Sequence, residues 1–410
     1  MIFKPDSMLP YPRQSFPNNM KFKKGFTLIE LLIVLGTLSI IATFVVVSFN
    51  GSRIKARDAQ RVRNIQEIRS ALELYYNRNN SYPSYIAPGL TFSNNGTVYM
   101  DPVPENPTPR TDGTCFNENY VYSRSSDGGN YTLAFCLGGP TGRFAAGQQF
   151  CNNSSCNATF AYDSSATALF ARFSGTPSDA DKHYMNNLIV SGKTHGWWNK
   201  MDIFYVFAIG TNATDSRLNW KSSSYNATAG VAPTWTAYQG ITGNGTTQYL
   251  TTNYNPTTHG TNYVSGSQSM GFYSRTQSSG SFIEVGGYDG GCHAAFVNSG
   301  GDNYNYMASC SANVFRNSSS QGFFIAQRNS TTSTQFFYNG NLIQTDNISS
   351  STVLNTAIFI GARNNGGSPA LFSARQIAVA FAGGALTSTE AMYMSLDVNQ
   401  YMKSIGANVY

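Results

Sequence analysis

The sequence predicts an α+β chain: one long amino-terminal helix carrying a small β-sheet head, followed by an all-β sandwich. Three observations predict it. Phe26 to Phe49 is an apolar run broken by a single charge, Glu30. Apolar residues then recur at helical spacing as far as Tyr75. From Leu218 to the end, short apolar alternations are separated by Ser, Thr, Asn and Gly, as in a sandwich of short strands.

The run from Phe26 to Phe49 is long enough for a membrane-spanning helix, which needs about 20 residues. A carboxylate within such a helix is costly in lipid, so Glu30 requires a partner. Beyond it, Ile54, Val62, Ile65, Ile68, Leu72 and Tyr75 form one stripe of an amphipathic helix reaching about Arg78. The interspersed Arg53, Lys55, Arg57, Asp58, Arg61, Arg63 and Arg69 read as a solvated helix face. Asn79-Asn80-Ser81-Tyr82-Pro83 stops the helix, since proline disfavours helix in the residue before it. Pro102, Pro104, Pro107 and Pro109 mark a loop, and Tyr120–Arg124 with Tyr131–Cys136 reads as strand, turn, strand.

The segment Lys23-Lys24-Gly25-Phe26-Thr27-Leu28-Ile29-Glu30 resembles the processing site of type IV pilins and pseudopilins. A secretory signal peptide would have a shorter apolar stretch and a small-residue cleavage site. The resemblance implies a leader, residues 1–25, cut after Gly25 by a prepilin peptidase. It implies N-methylation of Phe26, and a role for Glu30 in neutralising a neighbouring subunit's amino terminus. A buried carboxylate and ammonium tolerate a low-dielectric core when paired. Lys21, Lys23 and Lys24 would hold the leader in the cytoplasm. Without the leader the net charge falls from +6 to +2, so the pI of 8.9 gives no ground for nucleic-acid binding. Long helix, proline-rich loop and hairpin also resemble a pilin head, giving a pilin-like domain over 26–160 with its membrane half at 26–49.

Six cysteines in an exported chain favour disulfides. Chain proximity pairs Cys115 with Cys136, Cys151 with Cys156, and Cys292 with Cys310, among about 15 possible connectivities. His183, His195, His259 and His293 are scattered, which speaks against zinc. No cofactor is expected; calcium is conceivable through Asp289 or Asp302, without an oxygen-rich loop signature.

Over 200 residues remain for a further domain. Asp179–Ala208 reads as helical, broken by Gly192 and Gly196, with Trp197 and Trp198 in its core; residues 161–217 then connect to the sandwich or form its prefix. Residues 218–410 form the sandwich, where Asn339-Gly340 between two strands is a hairpin signal. Phe336–Ile343, Phe359–Arg363, Ile377–Phe381 and a closing helix over Thr387–Met402 resemble a concanavalin A-like or laminin-G-like jelly roll. That fold hosts lectins, adhesion modules and glycan hydrolases. A retaining hydrolase needs two carboxylates about 5 Å apart. The acids after Leu218 show no i, i+2 pair, leaving Glu284 with Asp302 as the conceivable tertiary pair. Tyr288, Asp289, Tyr304 and Tyr306 offer aromatic and polar groups for a sugar near the Cys292–Cys310 bridge.

The expected function is that of a minor type IV pilin or pilin-like subunit displaying a lectin-like adhesion domain, not an enzyme. The rivals are a pseudopilin of a secretion or DNA-uptake machine and a pilus-borne glycan hydrolase. Expected partners are other pilin subunits, prepilin peptidase, the inner-membrane assembly machinery and a surface glycan or protein ligand. The expected location is the cytoplasmic membrane for the precursor, then an extracellular pilus or an envelope pseudopilus.

Overall fold

A computed structural model describes residues 28–83, 85–113, 115, 119–125, 128–156, 162–277, 282–290, 292–295, 303–306, 313–315, 319–350 and 352–410. Residues 40–49, 292–295, 303–306 and 313–315 are described in backbone only. The first described element is helix α1, Leu28–Asn79. Two compact units divide between Ile54 and Lys55.

In the first unit the apolar side chains from Leu28 to Leu38 are exposed. Among the described residues no helix is long and apolar enough to cross a membrane. The second half of the expected membrane stretch, residues 40–49, lies outside the described side chains.

In the second unit α1 buries Ile65, Ile68, Ala71 and Leu72, spaced by three and four along one face. Asn80 ends the helix at φ 53°, its N–H donating to Tyr76 O at 2.8 Å. A hairpin follows, β1 (Phe92–Asn94) and β2 (Thr97–Met100), turned by Asn95 and Gly96 at φ 48° and 76°. Then β3 (Val121–Arg124), β4 (Tyr131–Leu137) and β5 (Gly147–Cys151) form an antiparallel sheet. Tyr131, Leu133, Phe135 and Leu137 alternate along β4 and join the α1 residues in one core. Cys115 is bonded to Cys136 and Cys151 to Cys156, as chain proximity suggests. Cys310 and the Cys292 side chain lie outside the described residues.

Helices α2 (Ser164–Phe170) and α3 (Asp179–Thr194) come next. The helix expected to reach Ala208 stops at Thr194, and Met201–Val206 is a strand, β6. Gly192 lies inside α3, where a Cβ would come within 2.5 Å of the Trp197 ring, and Gly196 turns the chain at φ 85°. Trp197 and Trp198 are buried core residues.

The remaining elements are β7 (Thr228–Val231), β8 (Thr234–Thr236), β9 (Gly240–Thr242), β10 (Tyr249–Thr251), α4 (Pro256–His259), β11 (Gln268–Ser274), β12 (Val285–Tyr288), β13 (Cys292–Ala295), β14 (Asn303–Tyr306) and β15 (Asn313–Phe315). They continue as β16 (Gly322–Ser330), β17 (Ser333–Tyr338), β18 (Asn341–Asp346), β19 (Phe359–Ile360), β20 (Arg363–Asn365), β21 (Ser368–Ala370), β22 (Gln376–Gly383) and α5 (Ser388–Ser404). One sheet runs β18-β17-β16-β11-β22-β9-β8, with β6 also on β22; the other runs β15-β14-β13-β12-β19-β10-β7.

The central strands of the first sheet are buried on both faces, and alternation assigns their residues except at a bulge in β22, where Ala378 and Val379 share the helix side. Ile203, Tyr205, Met270, Phe272, Phe324 and Ala380 pack toward Leu250, Val285 and Ile360 of the second sheet. Phe204, Val206, Tyr273, Phe323, Ile325 and Phe381 pack toward α2, α3 and α5. Helices, sheet and sheet thus form three layers around two cores. The closing helix α5 starts as expected, with Thr387 and Glu390 making a reciprocal capping box. The α+β reading holds at this level.

Candidate functional site

Gly25 and Phe26 lie outside the described residues. Glu30 sits in the first turn of α1, where the positive end of the helix dipole favours a carboxylate. The hydroxyls two or more turns farther along add little polarity, because they turn back on the helix. Thr37 Oγ1 donates to Ile33 O at 3.0 Å and Ser39 Oγ to Leu35 O at 2.7 Å. Exposed apolar side chains therefore surround a single acid from Leu28 to Ser39.

The charged stretch beyond it is not the solvated face that its sequence suggests. Asp58 and Arg61 are fully buried. Arg61 donates to Asp58 Oδ1 at 2.6 Å, Asn106 Oδ1 at 2.8 Å and Pro109 O at 3.1 Å, and pairs with Asp112 at 2.8 Å. Arg57 grips Asp112 with two bonds, 2.7 and 2.6 Å. Asp58 in turn accepts the N–H groups of Gly138 and Gly139. The Arg57 hydrogen bond, against the opposing cost of burial, holds the Asp112 carboxyl below the usual carboxylate range. The network fastens the proline-rich loop and the end of β4 to the helix. Arg53, Lys55 and Arg63 alone among the seven fit the solvated reading fully.

In the sandwich, Tyr288 is half-buried with the Arg363 guanidinium 5.0 Å above its ring. Asp289 is exposed and accepts the Asn355 N–H at 2.6 Å. Tyr304 and Tyr306 are on β14, separated from β12 by β13; their side chains lie outside the described residues. Glu284, the acid nominated for hydrolysis, is fully buried, paired with Arg375 at 2.7 Å and accepting from Ser373 Oγ at 3.0 Å. Asp302, its conceivable partner, lies outside the described residues. Among the described residues no three His, Cys, Asp or Glu side chains cluster as metal ligands.

A further constellation joins residues 202 positions apart, which no local pattern announces. His195 Nδ1 lies 2.8 Å from Asp397 Oδ2, and Trp197 Nε1 donates to the same oxygen at 2.8 Å. His195 stacks on Tyr393, ring centres 4.1 Å apart. Burial pushes the Asp397 carboxyl up, against the downward pull of His195 and Trp197. His195, Tyr393 and Asp397 line a cleft of about 200 Å³ between the head, through Tyr85 and Tyr122, and helices α3 and α5.

Residues 20–46 match the family described as the prokaryotic N-terminal methylation motif. The type II secretion system core protein G of Vibrio cholerae serotype O1 is 33% identical over 91 residues, covering 22% of this chain and 57% of that protein. The same protein of Pectobacterium carotovorum subsp. carotovorum is 39% identical over 62 residues, covering 15% and 40%. The chain spans about half the length of these curated relatives. Among solved structures, the Ruminococcus gnavus IT-sialidase CBM40 aligns at TM-score 0.26 and 13% identity, over 33% of this chain and 84% of that one. Domain 4 of AbnA, a GH43 extracellular arabinanase of Geobacillus stearothermophilus, aligns at TM-score 0.29 and 11% identity, over 48% and 98%. Neither structural likeness carries a ligand over to this chain. The amino-terminal part of the chain carries the methylation motif of pilins and pseudopilins and is homologous there to type II secretion core protein G.

Proposed function

We propose that this chain is a pilin-like filament subunit that carries a binding domain, not an enzyme, outward on its head. The carrying observation is Glu30, the one acid in an apolar helix surface that starts within the methylation motif. An apolar surface of this kind needs lipid or other helices around it. In this reading a prepilin peptidase cuts after Gly25, Phe26 becomes the methylated amino terminus, and residues 26–49 hold the subunit in the cytoplasmic membrane before assembly. Glu30 then meets the amino terminus of a neighbouring subunit. The jelly-roll reading of the two stacked sheets belongs to this proposal, and a surface glycan is the ligand class proposed for them. The complete burial of Glu284 against Arg375 supports binding over hydrolysis.

A second reading, a pseudopilin of a secretion machine, is favoured by the similarity to type II secretion core protein G. Antibody labelling of the sandwich on intact cells separates the two: surface label supports a displayed fibre, and label only after outer-envelope permeabilisation supports the pseudopilus. The processing step has its own test. Gly25→Val should accumulate a precursor longer by the leader and retained in the membrane. Mature-length protein from that variant would refute cleavage after Gly25.

A further inference from the structure

The cleft between the head and helices α3 and α5 contains polar atoms that the fold leaves without partners. Both side-chain polar atoms of Asn187, Oδ1 and Nδ2, are buried and have no hydrogen-bond partner among the described residues, and the same is true of His195 Nε2. Both residues line the cleft. A buried polar atom without a partner costs about 1–3 kcal/mol, so three along one wall require an explanation.

The arrangement is built by helical spacing. Asn187 and Ser191 on α3 and His195 at its C-cap recur at intervals of four, as do Tyr393, Asp397 and Tyr401 on α5; all six line the cleft. The chemistry at each point is fixed by its neighbours. The Trp197 indole is a donor only, so Asp397 Oδ2 acts as acceptor and His195 Nδ1 donates to it. In the neutral ring, His195 Nε2 then carries a lone pair in the cleft wall, and Asn187 adds one acceptor and one amide donor. The walls add the rings of Tyr85, Tyr122 and Tyr184.

We infer that this cleft is a binding site for the end of a neutral oligosaccharide. Hydroxyl groups both donate and accept, as the His195 and Asn187 pair demands, and the C–H faces of sugar rings suit tyrosine walls. Asn187 and His195 are two helical turns apart, about 12 Å, so a ligand that reaches both extends beyond one sugar ring. Asp397 and Lys403 line the cleft with opposite charges, so neither an acidic nor a basic sugar is favoured over a neutral one. The inference rests on the glycan-binding reading but places the site away from Tyr288 and Asp289.

The test uses the full chain in detergent micelles on an array of neutral oligosaccharides, with titrations of each one bound. Asn187→Ala removes an amide that makes no hydrogen bond in the fold, and Tyr85→Ala trims a residue 61% exposed, so both variants should melt like the parent. Each should weaken binding at least about tenfold, the loss of roughly one good contact, whereas Tyr288→Ala should leave it unchanged. Binding that survives Asn187→Ala and Tyr85→Ala but is lost in Tyr288→Ala overturns the cleft and leaves the glycan-binding reading standing. No binding by the parent chain overturns both.

Discussion

Arg61 illustrates how a charge becomes structural at the scale of one residue. Its side chain has no exposure, and its guanidinium is surrounded by carboxylates and carbonyls from α1 and the proline-rich loop. A buried ion pair is weak evidence for net stabilisation, but removing one member strands the other at a cost of about 3–5 kcal/mol. Asp112 is the member on the loop, shared by Arg57 and Arg61. Asp112→Asn should therefore lower stability at pH 7 by about 3 kcal/mol, the low end of that range, since Asp58 still faces Arg61. Its pH dependence has a definite sign. The folded carboxyl titrates below its unfolded value of about 3.9, so its contribution is complete above that value and is lost as pH falls through the folded one. The variant should lose less stability than the parent as pH falls below about 4. Parallel acid-unfolding curves for the two proteins would refute the role of Asp112.

Strand β6 carries the corresponding argument at the scale of an element. Phe204 is fully buried between Trp197, Trp220 and Phe381, on the helix side of a sheet covered on both faces. Phe204→Ala should cost about 3–5 kcal/mol in urea unfolding, as for other large-to-small core changes. A loss under about 1 kcal/mol would mean that the site collapses freely and that the three-layer packing is misread. The same strand shows why some elements could be read from sequence and others not. Asn339-Gly340 was legible because a tight hairpin demands positive φ at both positions, observed at 48° and 84°. The identical signal at Asn95-Gly96 marks the β1–β2 turn that the sequence reading passed over. Met201–Val206 was misread as helix because a strand buried on both faces has no alternation to display. Helix α1 was legible from its stripe, whereas the burial of Arg61 depended on a loop about 50 residues away. The His195–Asp397 pairing depended on the closing helix in the same way.

At the scale of the whole molecule, the head and the three-layer domain belong to one compact unit from Lys55 to Tyr410. His183 sits where they meet: it is on α3, fully buried, with its ring 4.7 Å from Phe150 of the head strand β5. Burial pushes its imidazole down to about 3, whereas the unfolded chain leaves it near 6.5. The unfolded state then binds a proton that the folded state refuses, so stability is complete above about pH 6.5 and falls as pH drops toward the folded value. The slope is at most about 1.4 kcal/mol per pH unit for one proton. Between about pH 6 and pH 4.5 this loss precedes the titration of Asp112, whose carboxyl is held below the usual range. His183→Leu keeps an apolar group of similar bulk against Phe150 and cannot take up the proton. Its thermal midpoint should stay flat across that window while the parent's declines. If head and three-layer domain are coupled through this contact, the parent's decline should appear equally in probes of either part, such as the Trp197 and Trp198 fluorescence and exchange of amides on β4. A decline confined to one probe would show that the two parts unfold separately and that His183 reports on only one of them.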